Sequence, residues 1–134
     1  MLEYESELTY LPGTASLVDD VDKRILVVLQ DGRNLIGILR SFDQYANLVL
    51  EHTTERIFVG DAYGEKYLGL FLVRGENIVV MGVMETEREA RSLAPLRKVP
   101  LNQIEAAQKA QREQKEAQDE LKRRINQDMW NVEM

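Results

Sequence analysis

The residues Asp43-Gln44-Tyr45-Ala46-Asn47 place a carboxylate, an aromatic ring and an amide at alternate positions. An aromatic face can stack on a flat ligand, an amide can read the edge of that ligand, and a short acid can orient the amide. The alternative is a plain hairpin loop, in which Asp43 and Asn47 cap the backbone and Tyr45 covers the core. Taken alone, the pentapeptide favours the plain loop, because Asp and Asn are common turn residues.

Catalytic and metal-binding chemistry has little support in this sequence. With no Cys and one His in the chain, disulfides and Cys-based metal sites are excluded, and a catalytic triad could use only His52. His52 has no partner nearby and is predicted to be a packed or strand-edge residue. The acidic run 19–22 lacks the glycine and distal glutamate of a calcium loop, and is expected to be a solvated helix face. We therefore predict no catalytic residue, no metal and no cofactor.

The totals allow one domain with a tail. The chain has 134 residues and a net charge of −6, with 13 acidic and 7 basic residues in 1–84 and 10 of each in 85–134. No apolar run approaches the roughly 20 residues needed to span a bilayer, and the N-terminus lacks the basic flank of a signal peptide. We expect a soluble, untargeted protein with no membrane partner. Because the core is acidic, any contact with RNA must be local.

Apolar runs separated by turn residues predict a mainly β protein. After the breaker Pro12-Gly13, Ser16 can cap a short helix with Leu17 and Val21 on one face. Asp31-Gly32 then predicts a hairpin turn. Residues 54–66 are predicted to be a strand extension and a loop. The five predicted strands are 24–29, 34–42, 47–53, 67–73 and 77–84.

Five short strands after one helix predict a strongly bent antiparallel barrel. Leu48, Leu50 and His52 are expected to share one face of the third strand, with Thr53 on the other. Gly37, inside the second strand, is expected where the strand bends sharply or another backbone passes close. The last two strands are nearly unbroken apolar runs without the Lys or Pro that would protect an exposed edge, so they are predicted to pair with another chain.

The predicted organisation has four parts. Residues 1–13 form an N-terminal arm, 14–84 the barrel, 85–101 a linker, and 102–134 a charged helical tail. Asn102 is predicted to cap the tail helix, with Glu105 at its third position.

Two blocks of sequence together resemble a known family. Residues 31–50 contain Asp31-Gly32-Arg33, Gly37 and the pentapeptide, and residues 73–79 read Val-Arg-Gly-Glu-Asn-Ile-Val. These are similar to the first and second Sm motifs of the Sm-like RNA-binding family, in the right order and at the right separation. The resemblance covers 14–84 and implies the Sm fold, in which the fourth strand of one subunit pairs with the fifth strand of the next.

The resemblance also implies partners and a function. Six other Sm-like paralogs would complete a hetero-heptameric ring. The residues of the two motifs and the charged tail are most similar to those of a subunit of the cytoplasmic, P-body ring. That ring binds the 3′ end of deadenylated mRNA, oligoadenylated or U-rich. With a decapping-activator protein, it promotes decapping and 5′-to-3′ decay. Two alternatives stay open: a nuclear ring on the 3′ U-tract of a spliceosomal small RNA, and a protein-binding Tudor- or SH3-like barrel.

With the second motif present, RNA contact is favoured over a plain turn. The ring of Tyr45 and the planar guanidinium of Arg74 would hold one base between them. Asn47 would bond a pyrimidine edge, Asp43 would orient Asn47, and Gly75 would permit the tight turn that presents Arg74.

The end of the tail carries an apolar stripe, defined by Leu121, Ile125, Met129 and Trp130. One interpretation is a solvated, partly frayed helix, because isolated helices are marginal in water. The other is that this C-terminal apolar stripe anchors the helix across one mouth of the ring pore and gates the passage of an RNA 3′ end.

Overall fold

A short helix and one bent sheet form the domain. The computed structural model describes residues 17–133, with side chains to residue 130, so the arm and the cap predicted at Ser16 lie outside the described residues. Helix α1, Leu17–Asp20, confirms the predicted short helix and spans four residues. Leu17 is buried in the main core, and Val21 packs against that core as expected.

Six strands are hydrogen-bonded into the sheet, in the order β5-β1-β2-β3-β4-β6. All neighbours are antiparallel except β4 and β6. The main core is formed by alternate residues of these strands, with Val27, Leu35 and Leu39 fully buried. This mainly β Sm fold confirms the predicted fold class. The strand bounds are β1 Arg24–Leu29, β2 Asn34–Phe42, β3 Leu48–Val59, β4 Ala62–Val73, β5 Ile78–Val83 and β6 Arg97–Lys98.

Strands β3 and β4 are much longer than predicted. Their ladder begins at Leu48↔Val73 and continues through Thr54↔Tyr67 to Val59↔Ala62, so the loop predicted within 54–66 is only the turn at Gly60 and Asp61. The charged residues of this segment lie in strands because they pair across the ladder. Arg56, 6% exposed, donates to Glu65.

A bulge in the β3–β4 ladder reverses the predicted side-chain alternation. His52 has φ of 54° and Gly69 on the opposite strand has φ of 77°, and the register shifts at this point. His52 is therefore exposed and Thr53 is buried, the opposite of the expectation. Gly37 is needed because β3 lies close to it: a Cβ at this position would lie 2.9 Å from Thr53 Oγ1.

The segment 85–101, predicted to be a linker, is largely ordered structure. It contains helix α2, Thr86–Leu93, and strand β6, which pairs parallel to the start of β4. Two arginines donate to Glu89 and hold α2 against the domain: Arg24 and Arg56. These hydrogen bonds, first that from Arg24, lower the pKa of Glu89 despite its partial burial.

Helix α3, Leu101–Glu133, confirms the predicted helical tail. Its first backbone acceptor is the carbonyl of Pro100, which receives the N–H groups of Gln103 and Ile104, so Asn102 lies inside the helix and is not its cap. Ile104 is 1% exposed and packs with Ile57 and Ala62, which forms a second small core that composition did not predict. Residues of α3 between Gln108 and Gln118 line an open hollow with Asp31 of the β1–β2 turn. The whole helix is about 50 Å long at 1.5 Å per residue.

Across residues 17–133, none of the helices is both long enough and apolar enough to span a membrane.

Candidate nucleic-acid interface

The β2–β3 loop, residues 43–47, is organised by the Asp43 carboxylate. Asp43 Oδ1 accepts hydrogen bonds from the backbone N–H groups of Tyr45, at 2.9 Å, and Asn47, at 3.0 Å. The Ala46 N–H donates to the Asp43 carbonyl, and Ala46 adopts a left-handed φ of 60°. This compact turn leaves the ring of Tyr45 outside, 72% exposed. The plain-loop alternative requires Tyr45 to cover the core, and the structure shows that it does not.

Asn47 joins this loop to the loop between β4 and β5. Its Oδ1 accepts from the backbone N–H of Gly75 at 2.8 Å, and its Nδ2 donates to Asp43 Oδ2 at 2.8 Å. The expected orientation of Asn47 by Asp43 is therefore present. One Nδ2–H and one lone pair of Oδ1 stay free for a ligand, since an amide has two donors and two lone pairs.

The same contacts act on the charge of Asp43. The hydrogen bond from the Asn47 side chain, followed by the backbone donors of Asn47 and Tyr45, lowers the pKa of Asp43 below its ordinary value. These donors favour the ionised carboxylate. The acid that positions the amide thus stays charged at neutral pH.

Gly75 is required because the β2–β3 loop lies too close for a side chain, and not because its backbone adopts a positive φ. It begins a short 3-10 turn, Gly75–Asn77, and is not among the glycines with positive φ. A Cβ at this position would overlap the carbonyl oxygen of Tyr45 and lie 3.0 Å from that of Ala46. The predicted role of Gly75 in permitting a tight turn is thus replaced by a role in loop-to-loop packing.

Four of the five predicted site residues line one open hollow of about 590 Å³: Tyr45, Asn47, Arg74 and Gly75. Glu76, which was not predicted, also lines it. Asp43 lies behind Asn47. The side chain of Arg74 is 79% exposed, and its Nη1 is 3.8 Å from Glu76 Oε1. A ring and a guanidinium on one rim can flank a flat ligand between them.

Sequence reasoning missed two residues of this region. Gln30 donates from its backbone to the Asn77 carbonyl at 2.8 Å and from Nε2 to the Glu76 carbonyl at 3.0 Å. It thereby fixes the β4–β5 loop from the β1–β2 turn. Glu76 places a carboxylate beside Arg74. Glu76 was visible within the second motif, whereas nothing in the spacing indicated Gln30.

The C-terminal apolar stripe does not line this hollow. All four of its residues lie exposed on the last turns of α3: Leu121, Ile125, Met129 and Trp130. The predicted gate stays a prediction.

Among residues 17–133, no strand pairs with either edge of the sheet, as predicted from the apolar sequences of these edges. β5 forms one edge, and β4 beyond its first two residues forms the other. Large apolar side chains are exposed on both strands: Tyr67, Leu70 and Leu72 on β4, and Val79, Val80 and Val83 on β5.

Comparison with known proteins identifies a family. Residues 15–83 match the model described as LSM domain. The chain is 47% identical over 102 residues to the LSM1-LSM7 complex subunit lsm1 of Schizosaccharomyces pombe, covering 76% of this chain and 73% of that protein. It is 45% identical to the Sm-like protein LSM1A of Arabidopsis thaliana, covering 84% and 87%.

More distant matches include the human U6 snRNA-associated Sm-like protein LSm8, 37% identical, covering 68% of this chain and 97% of that protein. The crystal structure of a heptameric archaeal Sm protein is 41% identical with a TM-score of 0.47, covering 53% and 98%. The family match and the identities to LSM1 proteins confirm the resemblance drawn from the two motifs. The chain belongs to the LSM-domain family.

Proposed function

We propose that this chain is a subunit of a hetero-heptameric Sm-like ring that binds the 3′ end of deadenylated mRNA and promotes decapping. The observation that carries this proposal is the double hydrogen bonding of Asn47, to Asp43 and to Gly75. It joins two loops and presents Tyr45 and Arg74 on the rim of one hollow. This site supports binding and not catalysis.

The hollow suits one nucleotide of a single strand. Stacking of a base on an aromatic ring contributes about 1–3 kcal/mol, and the Arg74 guanidinium can cover the opposite face. The free N–H and lone pair of Asn47 can bond a base edge that offers an acceptor and a donor, as uracil does. Glu76 beside Arg74 makes this a poor site for several phosphates, which agrees with the acidic domain.

The open edges supply the means of ring assembly. Apolar residues on β4 and β5 are uncovered in the single chain, and pairing of β4 with β5 of the next subunit would satisfy both backbone ladders. Two of the relatives are named as subunits of an LSM1-LSM7 complex, which supports a ring with six other Sm-like chains.

The length of the match favours the mRNA-decay ring. The LSM1 proteins of S. pombe and Arabidopsis match 76% and 84% of this chain, whereas human LSm8 is matched over 97% of its own length and leaves about a third of this chain unmatched. A cytoplasmic and P-body location and a decapping-activator partner belong to the same proposal. The second candidate, a nuclear ring on a spliceosomal RNA, is favoured by the 37% identity to LSm8.

The tail extends this proposal. Most of α3 is exposed, and its C-terminal apolar stripe is uncovered in the described structure. Laid across one mouth of the ring, the stripe would anchor the helix there and limit the passage of an RNA 3′ end.

Purification of the chain from its own cells, followed by identification of the co-eluting proteins, tests the assignment. Six other Sm-like chains with a decapping activator are expected. A set of nuclear spliceosomal proteins would support the second candidate, and a monomer bound to a peptide would support the protein-binding barrel.

A further inference from the structure

A hollow of about 260 Å³ lies between α2 and the face of the sheet opposite the main core. Phe58 and Val83 are both partly exposed beside it. Its volume is below the roughly 300–1,000 Å³ typical of small-molecule sites, so it suits one or two apolar side chains. The apolar residues that line it are Leu26, Ile36, Phe58, Val83, Met84 and Leu93.

Ion pairs hold α2 over this hollow. Glu89 accepts from Arg24 and from the buried Arg56, and the chain enters α2 from Met84, whose N–H donates to the Arg24 carbonyl. These polar contacts fix the helix at one end of the hollow and leave the apolar surface beneath it unfilled. Exposed apolar surface of this kind is stabilised by an apolar cover.

The arm has the sequence of such a cover. Leu2, Tyr4, Leu8 and Tyr10 occupy even positions, while Glu3, Glu5 and Glu7 occupy odd positions. This period of two is typical of an extended segment with one apolar and one polar face. Pro12-Gly13 favours a turn, which would direct the arm back toward the domain.

The chain that follows α1 runs to the hollow. The arm joins α1 at Leu17, and the chain after α1 is fixed by hydrogen bonds between Leu39 and the backbone of residues 22 and 23. The next residue, Arg24, contacts Glu89 of α2. Tyr10 lies seven positions before Leu17, and seven residues span up to about 23 Å when extended, which limits how far Tyr10 can lie from Leu17.

We propose that the N-terminal arm of the same chain docks in this hollow, with Leu8 and Tyr10 inserted between α2 and the sheet. The acidic face of the arm then meets solvent and Arg88 on the rim, whose exposed guanidinium also pairs with Glu85 at 3.1 Å. The arm would bind the face opposite the main core and leave the β4 and β5 edges free.

The absence of cysteine permits a direct test by crosslinking. The full-length chain carrying Tyr10→Cys and Ser92→Cys, on the rim of the hollow, is compared with one carrying Tyr10→Cys and Lys122→Cys, on exposed α3. With a short thiol crosslinker we expect intrachain product at least tenfold faster for the first pair. Mixing isotope-labelled and unlabelled chains separates products within a chain from those between chains. Equal rates, or products only between chains, would contradict the proposal.

Hydrogen exchange of the α2 amides gives a second readout. Leu8→Ser with Tyr10→Ser should speed this exchange several-fold, while Leu2→Ser with Tyr4→Ser, on the same face but farther from Leu17, should have a smaller effect. Unchanged exchange in the first variant would overturn the proposal. The proposal would also be overturned if the α2 amides were protected only on assembly with other proteins and independently of Leu8 and Tyr10. The hollow would then be occupied by a partner protein and not by the arm.

Discussion

The backbone N–H of Gly75 donates a hydrogen bond to Asn47 Oδ1 at 2.8 Å, joining two loops that are 28 residues apart in the chain. Neither loop alone forms the hollow, since Tyr45 comes from one and Arg74 from the other. The relative position of the aromatic ring and the guanidinium therefore depends on this contact.

Gly75→Ala should separate the two loops, because the added Cβ would overlap the Tyr45 carbonyl oxygen. Overpacking of this kind costs about 1–3 kcal/mol. Gly82→Ala is the matched control, since no atom lies within 4 Å of a Cβ added there. Chemical denaturation should show a clear loss of unfolding free energy for Gly75→Ala and a change within about 0.5 kcal/mol for Gly82→Ala. Equal losses would contradict the close approach.

The charge of Asp43 should respond to Asn47. Asp43 has a pKa below its ordinary value of 3.8, so its contribution to loop stability is present above that pH and is lost as pH falls through the lower, folded-state pKa. Asn47→Ala removes the largest cause and should raise the pKa of Asp43 toward 3.8. Carboxyl chemical shifts followed by NMR measure this change. Asn102→Ala, in α3, should leave the Asp43 titration unchanged, and an unchanged titration in Asn47→Ala would reject the assignment.

Assembly should depend on the two open edges. A lysine in place of Leu70 or Val79 would bury a charge at the interface and prevent ring closure, because both side chains are exposed on edge strands. Val18→Lys, at an exposed position of α1, is the control and should assemble normally. Light scattering on the unmodified chain should show an oligomer; a monodisperse monomer at micromolar concentration would refute the edge-pairing account.

The tail gate should be tested by truncation after residue 118 in the assembled ring. A cut after Leu93 would also remove Ile104 and expose the small core with Ile57 and Ala62. The shorter truncation removes residues 119–134, which carry the C-terminal apolar stripe, and keeps Ile104. It should leave the ring assembled while increasing its binding of RNA that continues past the pore. A variant with Glu120→Gln and Arg124→Gln, an exposed pair on the same turns, should bind as the intact ring does. An unchanged preference for free 3′ ends after truncation would exclude the gate.

Local patterns predicted much of the fold. The Asp31-Gly32 turn and its flanking apolar runs predicted the β1–β2 hairpin with its observed bounds, and Asp43 to Asn47 predicted the loop and the orientation of its amide. Both depend on residues close in sequence, whose turn and capping preferences act over a few positions.

Long-range contacts explain the errors. Residues 54–66 were predicted to include a loop, yet they continue both strands, and Arg56 among them is buried with Glu65 and Glu89. Helix α2 is held against the domain by Arg24, which lies 65 residues from Glu89 in the chain, so its docking could not be predicted from the local sequence. The packing role of Gly75 likewise depends on the Tyr45 carbonyl of another loop.

The most direct test of the nucleotide site is RNA affinity of the assembled ring carrying Tyr45→Ala and Arg74→Ala together. Both side chains are exposed, so unfolding free energy should change by less than about 0.5 kcal/mol for each. Loss of one stacked base should weaken binding of a short U-rich RNA by about 1–3 kcal/mol for Tyr45→Ala alone, and further with Arg74→Ala. Tyr45→Phe, which keeps the ring, should bind within about 0.5 kcal/mol of wild type. If the double variant binds the RNA as tightly as the unmodified ring, this hollow does not hold a nucleotide.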